Sequence, residues 1–337
     1  MNELLPLCNV NKRELWVDVS KTILIFVMVV GHCNPHLWVR TLIYGCHMPA
    51  FFIISGYLYK PHDWKKTTKS FFIPIVFFSL INLTAVLINH TDGTPFPDDF
   101  LKKCLYPFFM FTYQYGIFLF PGVWFIMCLY FCRLLFGDIP FASPIRKFIY
   151  PIAIVCIVFL SLRFLMPESI LYHKLNSLYF VRTVACIPFF AFGIWCKEHG
   201  DLLQKIPRFV VYILFPVYIV GCFINGGIDI WAEDYGVNYF FSFIISVIGF
   251  WLLYRGTRFT IFNGAASVFQ IFSTGTFFVL GTHILLRNVY WRWLGIDKIA
   301  NWYQAILAGV IIMLLCYYPI KILIKNVRYL LENKMII

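Results

Sequence analysis

The feature that most constrains this chain is a series of apolar blocks, each about 17–20 residues long and separated by short polar connections. At about 1.5 Å per helical residue, one such block crosses a hydrocarbon core about 30 Å thick. The composition agrees, since 61% of the 337 residues are hydrophobic, 20% aromatic and 13% charged. A soluble domain carries about 25% charged residues, so this chain cannot cover a soluble surface. A secreted disulfide scaffold, a disordered tail and a soluble nucleic-acid binder are all excluded on that ground.

The net charge of +12 is read as topology, because basic residues in a membrane protein mark the loops that stay in the cytoplasm. No nucleic-acid partner is expected. The 11 cysteines form no CxxC pair or zinc-ligand spacing, and residues such as Cys128, Cys132, Cys156 and Cys316 sit inside apolar blocks as small hydrophobes. No metal is expected. The polar start through Lys12 and Arg13 leads into a full-length apolar block, which is expected to serve as its own insertion signal.

The expected fold is all-α, a polytopic integral membrane helical bundle of about ten transmembrane helices with both termini cytoplasmic, built as a single domain over 1–337. Spans are predicted near 20–38, 42–59, 71–89, 123–136, 148–165, 179–196, 209–224, 239–254, 268–286 and 303–322. Alternate connections carry Lys60, Lys65, Lys66 and Lys69, then Arg146 and Lys147, then Lys197, Lys205 and Arg208, then Arg255 and Arg258, and these are expected inside. Lys325 and Arg328 follow the last span. The opposite connections include TDGTPFPDD and NGGIDIWAEDYG, acidic and rich in turn formers. Residues 104–120 are apolar enough to span, but counting them would invert every later loop, so they are read as an interfacial or re-entrant external segment. Arg287, Arg292 and Lys298 fall outside, against the charge rule.

Ionisable residues inside spans are costly in hydrocarbon unless they face a cavity or a partner. The first hairpin concentrates them: Asp18 and Lys21 at the cytoplasmic mouth of span one, His32 well inside it, and His47 and Ser55 in span two. Eleven residues separate Lys21 from His32, which places them on one helix face within roughly 20° and about 16 Å apart along the axis. With the turn near Val39 and Arg40, His32 and His47 are expected at one depth on neighbouring helices. A cationic mouth below two imidazoles suits a phosphate-bearing donor that delivers a reactive group into the membrane, with histidine taking a hydroxyl proton. Acyl transfer to a hydroxyl is the chemistry suggested. Each residue also has a structural reading: snorkelling for Lys21, an interhelical hydrogen bond for either histidine, small-residue packing for Ser55 and Gly56, interface anchoring for Trp124.

The stretch RELWVDVSKTILIFVMVVGH followed by YGCHMPAFFIISGYLYK resembles the opening of the acyltransferase-3 family of integral membrane acyltransferases, with the strongest motif region at 13–60. The family hallmark of a basic residue, ten positions and a histidine falls on Lys21 and His32, with lysine where arginine is more frequent. The second-span pattern falls on His47, Met48, Pro49, Phe51, Phe52, Ser55, Gly56 and Tyr57. KKTTKSFFIP, VWFIMCLYF, FFAFGIWCKE and FFVLGTHILL resemble later family segments. The resemblance implies a bacterial inner-membrane O-acyltransferase using acetyl-CoA or another acyl-CoA as donor substrate, with no permanently bound cofactor. Its acceptor would be a cell-surface glycan or a lipid-linked saccharide.

It also implies roles. His32 would be catalytic, as general base or transient acyl carrier. Lys21, Ser55, Gly56, Tyr57, Lys66 and Lys69 would bind the donor, while Asp18, His47, Trp124, Arg182 and His283 would support the site or grip the acceptor. A polysaccharide transporter or flippase and a non-catalytic membrane sensor are the competing readings.

Overall fold

The computed structural model describes residues 14–89, 122–138, 147–162, 179–258, 260–294 and 301–326. Among them the secondary structure is helical, with an isolated bridge between Asp229 and Asp234. The helices are α1 (Leu15–His32), α2 (Leu37–Tyr44), α3 (His47–Tyr57), α4 (Trp64–Asn89), α5 (Val123–Arg133), α6 (Ile149–Ser161), α7 (Tyr179–Glu198), α8 (Gly200–Lys205), α9 (Val210–Asn225), α10 (Tyr239–Gly256), α11 (Ala266–Thr274), α12 (Thr276–Leu294) and α13 (Trp302–Asn326). The segment 104–120 lies outside the described residues.

Five stretches are long and apolar enough to cross a bilayer: Leu15–His32, Leu37–Tyr57, Trp64–Thr84, Tyr239–Gly256 and Trp302–Asn326. A sixth, Phe262–Thr274 with Thr276–Trp291, qualifies as a pair bent by 74°. The other expected spans fall on shorter apolar helices, α5, α6 and α9, and on α7, where Arg182, Lys197 and Glu198 interrupt the apolar run. Pro74, Pro188, Pro216 and Pro319 lie within helices, as membrane helices tolerate where neighbours meet the freed backbone groups.

The first hairpin departs from the expected boundaries. Span one begins at Leu15 and stops at His32, the chain turns through residues 33–36, and the second span is broken between α2 and α3 at Gly45 and Cys46. The break is held from outside. Ser246 Oγ donates to the Gly45 carbonyl at 2.9 Å and Tyr218 Oη to the Leu42 carbonyl at 2.7 Å. A Cβ on Gly45 would lie 2.4 Å from Cys222 Sγ. The loop after α9 also closes on this break, with Ile228 N donating to Tyr44 O at 3.2 Å and both Ile228 and Ile230 buried.

α1 runs through the middle of the bundle, against α2, α3, α10, α11, α12 and α13. Its start defines one end, here the foot, where Glu14 meets Tyr57 and Trp16 packs edge-on to Tyr57 and Tyr254. Lys197 Nζ reaches the Tyr59 carbonyl there and Arg255 that of Gln204, so the basic connections expected to share one side of the membrane gather at the foot. The opposite end, the head, holds His32.

α3 and α7 cross with their backbones in contact. A Cβ on Gly56 would lie 2.0 Å from Phe190 O, and one on Gly193 only 1.9 Å from Ile53 O. Dispersion and small side chains drive such crossings, because lipid gives no hydrophobic force between helices.

Candidate active site

Lys21 is buried, 3% exposed, on the inner face of α1. Its Nζ donates to the Ser273 carbonyl at 2.9 Å. That carbonyl is available because the helix is interrupted: the last turn of α11 ends at Gly275 and α12 departs at 74°. A helix C-terminus leaves acceptors and partial negative charge, which a buried cation matches. Thr276 Oγ1 donates to the same carbonyl at 2.9 Å, and Thr22 Oγ1 reaches Phe269 O at 3.1 Å. Lys21 therefore does not snorkel; it is seated at the broken helix. Asp18 is buried one turn earlier, and its backbone carbonyl accepts from Thr22 Oγ1 at 2.8 Å.

Above Lys21 lies a cavity of about 10 Å³ bordered by Ser55, Phe51, Phe125, Thr276, Phe277 and Leu280. That is room for about one water. Ser55 Oγ donates back to Phe51 O at 2.7 Å within α3, while its side chain faces the cavity. The cavity stops at Leu280, three residues or about 4.5 Å of helix rise below His283.

His32 ends α1 at the head and is partly exposed. Among the described residues no hydrogen bond reaches its ring, and the neighbouring aromatic is His283, with centroids 5.0 Å apart and planes at 48°. His283 Nδ1 lies 3.1 Å from Val279 O and 2.9 Å from Leu280 O. Two carbonyls can only accept, so Nδ1 carries the proton and the buried, unpartnered Nε2 presents a lone pair. Arg287, one turn beyond, donates from Nη1 to the His32 carbonyl at 3.0 Å and stacks 4.5 Å over Trp291. Its place against the charge rule has a local cause, since a cation satisfies the open end of α1.

The ring packed against His32 is that of His283, a neighbour that the expected placement of His47 at the same depth does not include. The turn falls before residue 37, so His47 sits at the start of α3, its ring 4.9 Å from Tyr44 and its Nδ1 2.9 Å from Ile43 O. His47, Arg40 and Arg287 remain near enough to act on His32 through their charge.

Tyr57 Oη donates to both Glu14 oxygens at 2.9 Å, at the foot below Ser55. Gly56 gives its open side to the Phe190 carbonyl, so the close approach it permits is made by a helix and not by a ligand. Lys66 and Lys69 stand exposed on the first turns of α4, where Asp63 Oδ1 accepts from the backbone N–H of Lys65 at 2.8 Å. Trp124 is 9% exposed and packs beside Phe125, in the core and not at an interface. Arg182, also buried, faces Glu233 with 3.9 Å between Nε and Oε1, at the head end of α7. Lys21 and Ser55 are thus brought together, His32 and His283 are brought together, and Lys66, Lys69, Trp124 and Arg182 stand apart from both pairs.

Sequence reasoning missed Ser273, Thr276 and Arg287. The run FSTGTF inside an apolar block signals a helix interruption, and Arg287 follows His283 by four residues, on the same helix face.

A helical membrane protein whose central helix carries a seated cation near its foot and, at its head, an imidazole packed against a second one has its polar site inside the bundle. The chain matches the acyltransferase-3 family model, described as an acyltransferase domain, over residues 14–321. It belongs to that family of membrane acyltransferases. No match to a curated protein or to a solved structure was found.

Proposed function

We propose that the protein moves an acetyl group from cytosolic acetyl-CoA to a hydroxyl of a glycan or lipid-linked saccharide in a bacterial inner membrane. The observation that carries this reading is the His32 imidazole, which makes no hydrogen bond among the described residues, on the same helix as the seated cation Lys21. His32 takes the acceptor hydroxyl proton as the oxygen attacks the thioester carbonyl; the carbon–sulfur bond breaks, and the proton passes to the departing thiolate. Lys21 attracts donor phosphates at the foot, and Tyr57, Lys66 and Lys69 extend that surface toward the cytosol. The donor's flexible arm then rises past Ser55 and displaces Phe277 and Leu280, which close the cavity below the two histidines. His283 positions His32, and His47 lies close enough to act on it through its charge. Asp18 supports the Lys21 end of α1, and Trp124 and Arg182, which stand apart from both pairs, serve the surrounding scaffold.

The break at Gly275 also favours a second reading, since interrupted helices mark substrate and ion sites in transporters. Detergent-solubilised protein given labelled acetyl-CoA and extracted acceptor is expected to transfer label without any gradient. Saccharide movement across proteoliposomes with no transferred label would establish transport instead.

Lys21 provides a narrower test. Lys21→Ala is expected to raise the KM for acetyl-CoA roughly tenfold or more, the effect of losing one charged hydrogen bond. Lys21→Arg is expected to lose less, because arginine keeps a phosphate-binding charge. Equal losses, compared at matched membrane levels, would remove the phosphate role.

A further inference from the structure

The foot carries a second polar site, unrelated to the Lys21 seat. Between the α8–α9 link and the last turn of α10 an open cleft of about 870 Å³ is lined by Lys205, Arg208, Arg255 and Arg258. Among the described residues no carboxylate lines it. Two of the guanidinium groups are held in place. Arg255 donates to Gln204 O at 3.5 Å and lies 5.7 Å over Trp251, while Arg258 donates to Tyr254 Oη and lies 5.2 Å over that ring. Lys205 and Arg208 have no side-chain partner among the described residues. Arg258 also borders a smaller cavity that holds Glu14, but inside the cleft the four cations share no carboxylate among the described residues. They repel one another, and a bound phosphate relieves that repulsion.

The wall beside the cations indicates which phosphate. Tyr212, 80% exposed, lines the cleft, and the outward face of α9 continues from it through exposed Ile213, Phe215 and Val220. A phosphate anchored among the cations thus has an apolar helix face beside it that runs about 12 Å from Tyr212 to Val220. Basic pockets between membrane helices take anionic lipid headgroups in this manner. A nucleotide donor in water has no use for the apolar strip.

We propose that this cleft binds the phosphate headgroup of an anionic diacyl lipid, whose chains lie along α9. The proposal does not depend on the acyl-transfer reading. It does need a comparison with the donor, because a smaller cavity of about 70 Å³ that includes Tyr57 shares Gln204 and Arg258 with the cleft.

The test is native mass spectrometry of the full-length protein in detergent, titrated with phosphatidylglycerol, phosphatidylcholine or acetyl-CoA. Wild-type protein is expected to retain phosphatidylglycerol in preference to phosphatidylcholine. Lys205→Gln with Arg208→Gln removes no side-chain contact among the described residues and is expected to weaken phosphatidylglycerol retention roughly 30-fold or more, as the loss of two charge-assisted headgroup hydrogen bonds would. Lys321→Gln with Lys325→Gln removes equal charge from exposed positions near the same end of α13 and is expected to change retention less than about twofold. The lipid site is overturned if wild type shows no headgroup preference, a result that needs no variant. It is equally overturned if both double variants lose the lipid alike, or if the cleft variant loses acetyl-CoA binding and keeps phosphatidylglycerol.

Discussion

His32→Ala is expected to lower acyl transfer by about three orders of magnitude, within the range for loss of a general base, while the protein still accumulates in membranes. The separation of effects follows from the contacts. The imidazole makes no hydrogen bond among the described residues, so its removal strands no partner. The bond that fastens the end of α1 runs from Arg287 to the His32 carbonyl and survives the substitution. Transferred label per unit of membrane protein is the measurement, with elution from a sizing column as the check on folding. Activity within tenfold of wild type would take the catalytic role away from His32.

Gly193→Ala has the largest structural effect we expect. The new methyl would lie 1.9 Å from Ile53 O, 2.8 Å from Ile53 C and 2.8 Å from Tyr57 N. All three neighbours are backbone, so no rotamer change relieves the clash and α3 must separate from α7. Overpacking in a close-packed interior typically costs 1–3 kcal/mol even when side chains can adjust, so a loss of about 3 kcal/mol or more is expected. Gly56→Ala meets Phe190 O at 2.0 Å and should behave alike. Gly200→Ala, with nothing within 4 Å of the added atom, should be neutral or slightly stabilising. Thermal unfolding in detergent separates these outcomes, and a Gly193→Ala protein that unfolds with wild type would show that the two helices are not in backbone contact. Because α3 carries Ser55 to the Lys21 cavity and Tyr57 to Glu14, their separation also dismantles the foot of the site.

The hairpin shows how far sequence reasoning reaches. The existence of its first helix and the common face of Lys21 and His32 follow from apolar block length and a period of 3.6 residues. The burial of Asp18 and Lys21, expected at the span's mouth, follows instead from a helix that starts at Leu15 and runs through the middle of the bundle. Its second helix was misplaced in register, because the turn position and the break at Gly45 depend on Ser246 and Tyr218, about 200 and 176 residues away in sequence. His47 lies close enough to act on His32 through its charge, while the ring packed against His32 belongs to His283, which no helical period in the hairpin could name.

Intramembrane cost is a local property, so the sequence by itself determined that the chain is a helical membrane protein, which residues needed partners there, and that the family motif lies in the first helix. Who those partners are was decided only by tertiary structure: the Ser273 carbonyl for Lys21, His283 for the His32 ring, Arg287 for the end of α1. All three lie more than 200 residues further along the chain, on the two halves of a broken helix. Helical periodicity fixes which face a residue points from, but the neighbour across that face is chosen by how helices pack, and lipid exerts no force that would write the choice into hydrophobic pattern.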